Sequence, residues 1–240
     1  MRKKRVYQIL ARSGLINSKK EAESLIKEGK IKAGSRRINS LNYFINPKKE
    51  LLKIKDKVVI PRKEKIYLLF NKLKGVETKK QEISRFLDFE DSIKKTIFPV
   101  GRLDKDSEGL LILTNDGNLT DKILNPKRKL EKIYLIKTKN ELREDDMNKL
   151  RGGINIQMEE RGLVHKYKTL PCKINKIGFN NYEMRIIEGK KRQIRRMMKS
   201  VGNEVITLKR IGIGKLRLDK IKDGYYKKVE LREIIDAISC

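Results

Sequence analysis

The feature that most constrains the fold is a series of short apolar runs separated by charge. The segments "IYLLFNK" from Ile66, "KIYLIKTK" from Lys132, "CKINKIGF" from Cys172, "YEMRII" from Tyr182 and "VITLKR" from Val205 are each six to eight residues long. That is strand length, and their Ile, Val, Tyr and Phe content suits a pleated, half-buried surface. "LLIL" at 110–113 reads as one more strand. Only two or three helical patterns accompany these runs. The chain is therefore expected to be α+β, built on a mixed, mainly antiparallel sheet. Its 240 residues can bury a sizeable core, as one large domain or two small ones.

The first clear helix is "NSKKEAESLIKEGK". Ser18 is placed as N-cap, Glu21 completes a capping box three residues later, and Gly29 ends the helix. Ala22, Leu25 and Ile26 form its buried stripe, which leaves Lys19, Lys20 and Lys27 to solvent. Strand-like "KIKAG" and "RRIN" follow around the Gly34–Ser35 turn, then "KVVI" up to Pro61. A helix and small strands over about 60 residues make a small domain. It resembles an S4-type RNA-binding domain; the alternative is a small basic cap with no ligand of its own. The charged "PRKEK" at 61–65 is placed as the linker, giving domains at 1–62 and 63–240.

Charge narrows the function. Lys and Arg number 60 against 31 Asp and Glu, a net charge of +29. Such a field attracts polyanions, either nucleic acid or an anionic membrane. No apolar run approaches the roughly 20 residues of a membrane span, and "MRKKRVYQILARSGL" lacks the long apolar core of a secretion signal. A cytoplasmic, nucleic-acid-binding protein is expected. Cys172 and Cys240 make no disulfide framework, and with the single His165 they make no zinc site, so no metal is expected.

Against that background "GRLDKDSEGLLILTNDG", residues 101–117, carries Asp104, Asp106, Glu108 and Asp116. The first three and Gly109 fall on positions 1, 3, 5 and 6 of a calcium-binding EF-hand loop. Position 9 is Ile112 and position 12 is Asn115, so the match fails. Asp106, Glu108 and Asp116 read as turn residues and partners for the many cations. Asp104 differs, because it follows the apolar "FPVGRL" at a strand end or loop tip, beside Arg102. A carboxylate kept ionised by cations can act as a nucleophile or a general base.

The strongest periodicity lies in "EGKKRQIRRMMKSVGNEV". Ile194, Met197, Met198 and Val201 repeat at helical spacing, and Arg192, Arg195, Arg196 and Lys199 do so two residues out of phase, about 200° away. One stripe is expected in the core and the other as a line of cations, with Gly202 as the stop. Six of the ten residues from Lys190 to Lys199 are basic, a repulsion that a phosphate backbone or one buried carboxylate would relieve. Tyr134 reads either as a core tyrosine or as a ring that stacks on a base.

"NKLKGV" at 71, "FPVGRLDKDSEGLLILTNDG" at 98, "EKIYLI" at 131 and "EGKKRQIRRMMKSVGNEV" at 188 together resemble the Rsu-type ribosomal RNA pseudouridine synthases, in order and spacing, from residue 65 to about 232. The resemblance implies an active-site cleft crossing the sheet and no cofactor. Asp104 would be the catalytic aspartate, Tyr134 the active-site tyrosine that stacks on the target base and takes part in proton removal, and Arg195 the cation paired with the aspartate. Arg102 and Ile194 would hold the flipped nucleotide. Lys19, Lys20, Arg36, Arg37, Lys191, Arg192, Arg196 and Lys199 would meet the RNA backbone. The implied partner is ribosomal RNA or an assembling ribosomal subunit, engaged by a monomer, with no membrane. Large-subunit RNA is favoured, and small-subunit RNA is the alternative. Leu73 stands where the family usually has proline, and "MEERGLVHKYKTLP" is unusual at its position. The rival from another class is an RNA-binding assembly factor without catalysis. A DNA-binding protein is disfavoured, because neither a helix-turn-helix pair nor zinc-finger spacing appears.

Overall fold

Apolar alternation in the larger part of the chain resolves into one nine-stranded sheet, seen in a computed structural model that describes residues 3–47, 49–61, 63–160 and 162–239. The chain divides into two units. One runs up to Ile66 and takes in Ser84–Phe98 and Thr114–Asp116; the other comprises Tyr67–Ile83, Pro99–Leu113 and the chain from Gly117 onward. The expected linker at 61–65 includes Arg62, which lies outside the described residues, as does Cys240.

The first unit holds α1 (Val6–Ser13), α2 (Lys19–Lys27) and six short strands: β1 (Lys4–Arg5), β2 (Ile31–Ala33), β3 (Arg36–Arg37), β4 (Phe44–Ile45), β5 (Leu52–Ile54) and β6 (Lys57–Val58). β1 pairs with β4, and the others form a sheet in the order β3-β2-β5-β6. Val6, Ile9 and Leu10 of α1 meet Ala22, Ile31 and Leu52 in its core. α2 starts as expected at Ser18, whose hydroxyl accepts from the Glu21 amide at 3.1 Å. The return arm differs: Glu21 accepts from the amide of Asn17, not of Ser18. Ser18 is extended (φ −150°, ψ 163°), and it is the preceding amide that the Glu21 carboxylate reaches.

Next along the chain come α3 (Lys80–Ser84) and α4 (Asp91–Lys94). The sheet of the second unit runs β13-β14-β10-β15-β9-β7-β17. Its members are β7 (Tyr67–Lys72), β9 (Glu108–Thr114), β10 (Lys132–Thr138), β13 (Lys173–Gly178), β14 (Asn181–Ile186), β15 (Val205–Ile213) and β17 (Tyr226–Lys228). β8 (Phe98–Val100) is added on β9 and β16 (Leu216–Arg217) on β15. The sheet is mixed as expected, with β9 parallel to β15 and antiparallel pairing at β10–β14, β10–β15, β13–β14 and β7–β17. Gly109 makes the parallel pair possible. Its φ is +102°, and a Cβ there would stand 2.3 Å from the Arg210 carbonyl oxygen, so only glycine fits.

Besides α3, most of which belongs to it, the unit holds α5 (Gly117–Leu124), α6 (Glu144–Arg151), α7 (Gln193–Ser200) and α8 (Leu231–Ile238). Met147 and Leu150 of α6 share a core with Ile194, Met197 and Met198 of α7 and with Tyr134, Ile174, Tyr182 and Met184 of the sheet. A second core joins Leu119, Ile123, Ile234 and Ile238 to Leu69, Leu110 and Ile112. Each such side chain contributes roughly 1.5–3 kcal/mol on full burial. Between α6 and β13 the chain forms a separate hairpin, β11 (Asn155–Glu160) with β12 (Leu163–Lys168). It contains most of the segment flagged as unusual. Cys172 is buried and free. Among the described residues no helix is long and apolar enough to cross a membrane.

Candidate active site

The site is built around the turn between β8 and β9. The Ser107 amide donates to the Asp104 carbonyl at 3.0 Å, which folds residues 104–107 tightly. Thr78 anchors the turn at its base: its hydroxyl donates to the Leu103 carbonyl at 2.6 Å and accepts from the Leu103 amide at 3.1 Å. The Gly75 amide adds a bond to the Lys105 carbonyl at 2.8 Å. Both backbone groups of Leu103 are thus fixed one residue before Asp104, so that position is set by the scaffold. Asp104 is half-buried and Arg102 is exposed.

Leu103, Tyr134 and Ile194 belong to one apolar cluster. Tyr134 is only 9% exposed, on β10 opposite Met184 and Arg210, so it is a core residue, and one that adjoins the turn carrying Asp104. The sequence positions 103, 134 and 194, far apart in the chain, are brought together here.

The cations depart from expectation. Arg195 does not pair with Asp104. Its Nη2 donates to the Asp106 backbone carbonyl at 2.9 Å, its Nη1 to the Val205 carbonyl at 2.9 Å, and its Nε lies 3.2 Å from Asp106 Oδ2. Arg192 holds the same carboxylate with both terminal nitrogens, at 3.0 and 2.9 Å. Desolvation alone would raise the Asp106 pKa, but the Arg192 bonds and the charges of Arg195 and Arg192 hold it below the usual aspartate value. Burial lowers Arg195 from the usual arginine value, against the pull of Asp106. The side chain of Asp104 has no hydrogen bond or ion pair among the described residues.

The expected exposed line of cations on α7 is likewise corrected. Arg195 and Arg196 are half-buried, Arg196 against the Met158 sulfur of β11, while Lys191, Arg192 and Lys199 are exposed. α7 is covered on more than its apolar stripe, because the 104–107 turn and the hairpin pack along its flanks. Gly202, with φ +71°, follows the last helical turn as expected. In the first unit, Lys19, Lys20 and Arg37 are exposed. Arg36 is spoken for, paired with Glu50 at 3.1 Å and stacked 4.8 Å above Tyr43. Asp116 meets Lys65 at 2.7 Å, in line with its reading as a partner for cations.

Two residues at the site escaped the reading of the sequence. Lys72 is fully buried, its ammonium donating to the carbonyls of Leu73 at 2.8 Å and Val76 at 2.7 Å. Burial pushes its pKa down to about 8, against the charges of Glu108, Asp106 and Asp104. The signal is a lysine that closes the mainly apolar run Tyr67–Lys72. Glu188 accepts from Gln193 Nε2 at 2.7 Å, the Leu170 amide at 2.8 Å and the Tyr167 hydroxyl at 2.6 Å. It ties the hairpin to the start of α7, and nothing in its local sequence announces that.

A half-buried carboxylate with no side-chain partner among the described residues, on a rigid turn beside an apolar cluster and near arginines, suits chemistry on a planar, uncharged ring held on an anionic strand. Residues 66–200 match the family model described as RNA pseudouridylate synthase, and residues 4–51 match the S4 domain. Fold and site thus define an RNA-modifying isomerase with an RNA-binding S4 module. The ribosomal large subunit pseudouridine synthase B of Bacillus subtilis is 32% identical over 96% of this chain and 93% of that one. The dual-specificity RNA pseudouridine synthase RluF of Escherichia coli is 30% identical over 97% of this chain and 77% of that one. A crystal structure of a pseudouridylate synthase superposes with a TM-score of 0.69 at 26% identity, covering 98% of this chain and 99% of that one. The chain belongs to the RNA pseudouridine synthases, in their Rsu-type branch, and the reading of a binding factor without catalysis gives way to the enzyme.

Proposed function

We propose that this enzyme converts a specific uridine of ribosomal RNA to pseudouridine, with Asp104 as the catalytic carboxylate and 23S rRNA as the favoured substrate. The observation that carries the reading is the carboxylate of Asp104, unpaired among the described residues, at the end of a backbone clamped by Thr78 and next to the cluster of Leu103, Tyr134 and Ile194. The target uracil must leave the RNA stack, which takes a few kcal/mol and less in loops and bulges. The buried cluster of Leu103, Tyr134 and Ile194 would back the place where the flipped base sits, and exposed Arg102 would hold its phosphate.

Asp104 then assists loss of the N1–C1′ bond, by attack at C1′ or by promoting a glycal. The freed uracil turns and rejoins C1′ through C5; the C5 proton then passes to solvent, and N1, no longer bonded to C1′, takes a proton up. Substrate and product are isomers, so the balance needs no cofactor. Arg195, expected on Asp104, acts on this reading through the turn it grips at Asp106.

Lys19, Lys20, Arg37, Lys191 and Lys199 would meet RNA phosphates, with residues 1–62 as the RNA-binding domain and 63–240 as the catalytic one. Arg36 and Arg196 contribute only if their internal contacts open. The enzyme would work as a monomer in the cytoplasm on free rRNA or an assembling subunit. A relative named for the large subunit supports 23S over 16S rRNA. Tritium release from rRNA transcripts labelled at uracil C5 tests the reading. Release is expected from wild type on 23S RNA and not from Asp104→Asn, which should bind RNA as tightly. Equal release from the variant would remove Asp104 from the chemistry, and release from 16S RNA alone would reassign the substrate.

A further inference from the structure

We propose that a groove on the sheet face opposite Tyr134 is a second RNA-binding site, which holds an unpaired nucleotide of the substrate several positions away from the target uridine. The inference rests on the chain acting on RNA, and on none of the residues assigned to the chemistry. Two cavities, of about 790 and 670 Å³, adjoin there and share Arg217, Asp219, Ile221 and Lys222. Strand alternation fixes the face. Leu135 and Lys209 are cross-strand partners that line the second cavity, whereas the neighbouring pair, Tyr134 and Arg210, points to the other side. Tyr134 shares its cluster with Leu103 and Ile194, beside the Asp104 turn. The first cavity is lined by Tyr226 and Lys227 of β17, the outermost strand at that end of the sheet. β17 lies four strand spacings from β10, about 19 Å. An RNA strand that leaves the catalytic face can therefore pass round this edge into the groove.

The lining combines what a single strand needs, a ring for a base and cations for phosphates. Leu69, Leu135, Ile211 and Ile221 supply apolar surface. Tyr225 is 66% exposed, a ring on which a base can stack. Lys220 and Lys222 are exposed and make no ion pair among the described residues. Arg217 is anchored through Nη1 on the carbonyls of Gly214 and Leu216, at 2.7 and 3.0 Å, which leaves Nε and Nη2 for an anion. Two carboxylates share the lining. Asp223 is neutralised by Lys209 at 3.0 Å and by the Asn71 amide at 2.8 Å. Asp219 is exposed, and accepts on this reading from a ribose 2′-hydroxyl. An acidic peptide would use the cations and leave Tyr225 idle. The loop is also preformed, because the Gly224 amide donates to the Asn71 carbonyl at 2.8 Å and the Asn71 amide to the Tyr225 carbonyl at 3.0 Å. Asn71 Nδ2 adds a bond to the Ile221 carbonyl at 2.7 Å, so binding has little left to order.

The chain contains no tryptophan, so Tyr225→Trp places a single fluorophore in the groove. Tyr225, Lys220 and Lys222 are exposed, and the bonds that hold the loop run through backbone and Asn71, so these substitutions leave the fold in place. Titration of the full-length Tyr225→Trp chain with hexaadenylate, which offers the catalytic site no uridine, should quench the fluorescence saturably. An RNA duplex, whose bases are already stacked, should not. Adding Lys220→Ala and Lys222→Ala should lower the slope of log Kd against log salt by about 1.4, the value for two phosphates of a single strand. Tyr225→Ala should raise KM for rRNA in the tritium assay about fivefold or more, the lower end for one stacked base. No quenching, equal quenching by the duplex, or an unchanged salt slope in the lysine variant would overturn the proposal. Quenching by polyglutamate and not by RNA would do so too, by giving the groove to an acidic peptide. A wild type that releases no tritium from either rRNA, with quenching intact, would sink the substrate reading and leave the groove standing. Tritium release without quenching would sink the groove alone.

Discussion

Lys72 brings an ammonium into a strand whose six residues are all buried. Its pKa is pushed down to about 8 by desolvation, although two carbonyls receive its protons and three acids lie within range. Unfolded, the same lysine titrates near 10.4. Between those values the unfolded chain holds a proton that the folded chain has released, so stability climbs with pH across the window. Denaturation of wild type and Lys72→Met at pH 7.5 and 10 should show wild type gaining on the variant by up to about 3 kcal/mol. A difference that stays flat with pH would contradict this account. Gly109 makes the other demand at this scale. Gly109→Ala adds a Cβ 2.3 Å from a backbone oxygen at φ +102°, where neither the side chain nor the neighbour can yield. Strain and overpacking together should cost about 3 kcal/mol or more. An unchanged denaturant midpoint would mean that β9 and β15 do not approach as described.

Among the elements, β7, β10, β13, β14, β15 and α7 were legible because apolar spacing is a local property that survives packing. Gly29 and Gly202 marked their helix ends because the left-handed conformation they supply is local too. α1 is not announced by the sequence, because its Val6, Ile9 and Leu10 follow a basic start that resembles the opening of a leader. The hairpin of β11 and β12 is not announced by apolar spacing, because its outer strand leaves Leu163 74% exposed and meets the core through Tyr167. The site divides in the same way. Asp104, Tyr134 and Ile194 stand in recognisable strings, but the partner of Arg195 is settled by the turn meeting α7 across some ninety positions, which no window of sequence contains. Glu188 is the extreme case, joining Leu170, Tyr167 and Gln193 at once. Glu188→Gln should therefore open the hairpin locally and weaken it by about 1–2 kcal/mol. Amide exchange should quicken in Asn155–Lys168 and stay slow in β10. Tyr167, whose pKa is raised to about 12 first by its bond to Glu188, should titrate closer to 10 in the variant, read by tyrosinate absorbance. An unmoved titration would show that Glu188 does not hold the hairpin.

At the scale of the whole molecule the net charge of +29 does two separable things. One is to gather RNA from a distance, which depends on the number of exposed cations and little on their detailed placement. The other is to govern one turn, which depends on two arginines and the aspartate between them. On the proposed reading Lys19, Lys20 and Arg37 serve the first purpose, because they are exposed and lie in the S4 unit. Replacing all three with alanine removes no buried contact and should leave the melting temperature within the small range typical of surface changes. RNA binding should weaken most at low salt, and the slope of log Kd against log salt should shrink by about 2–3, the value for three lost phosphate contacts. At saturating rRNA, tritium release should run at the wild-type rate, because each cation lost affected capture alone. A loss of kcat at saturation would mean instead that the S4 unit places the target uridine, and that its cations belong to substrate choice as well as to attraction.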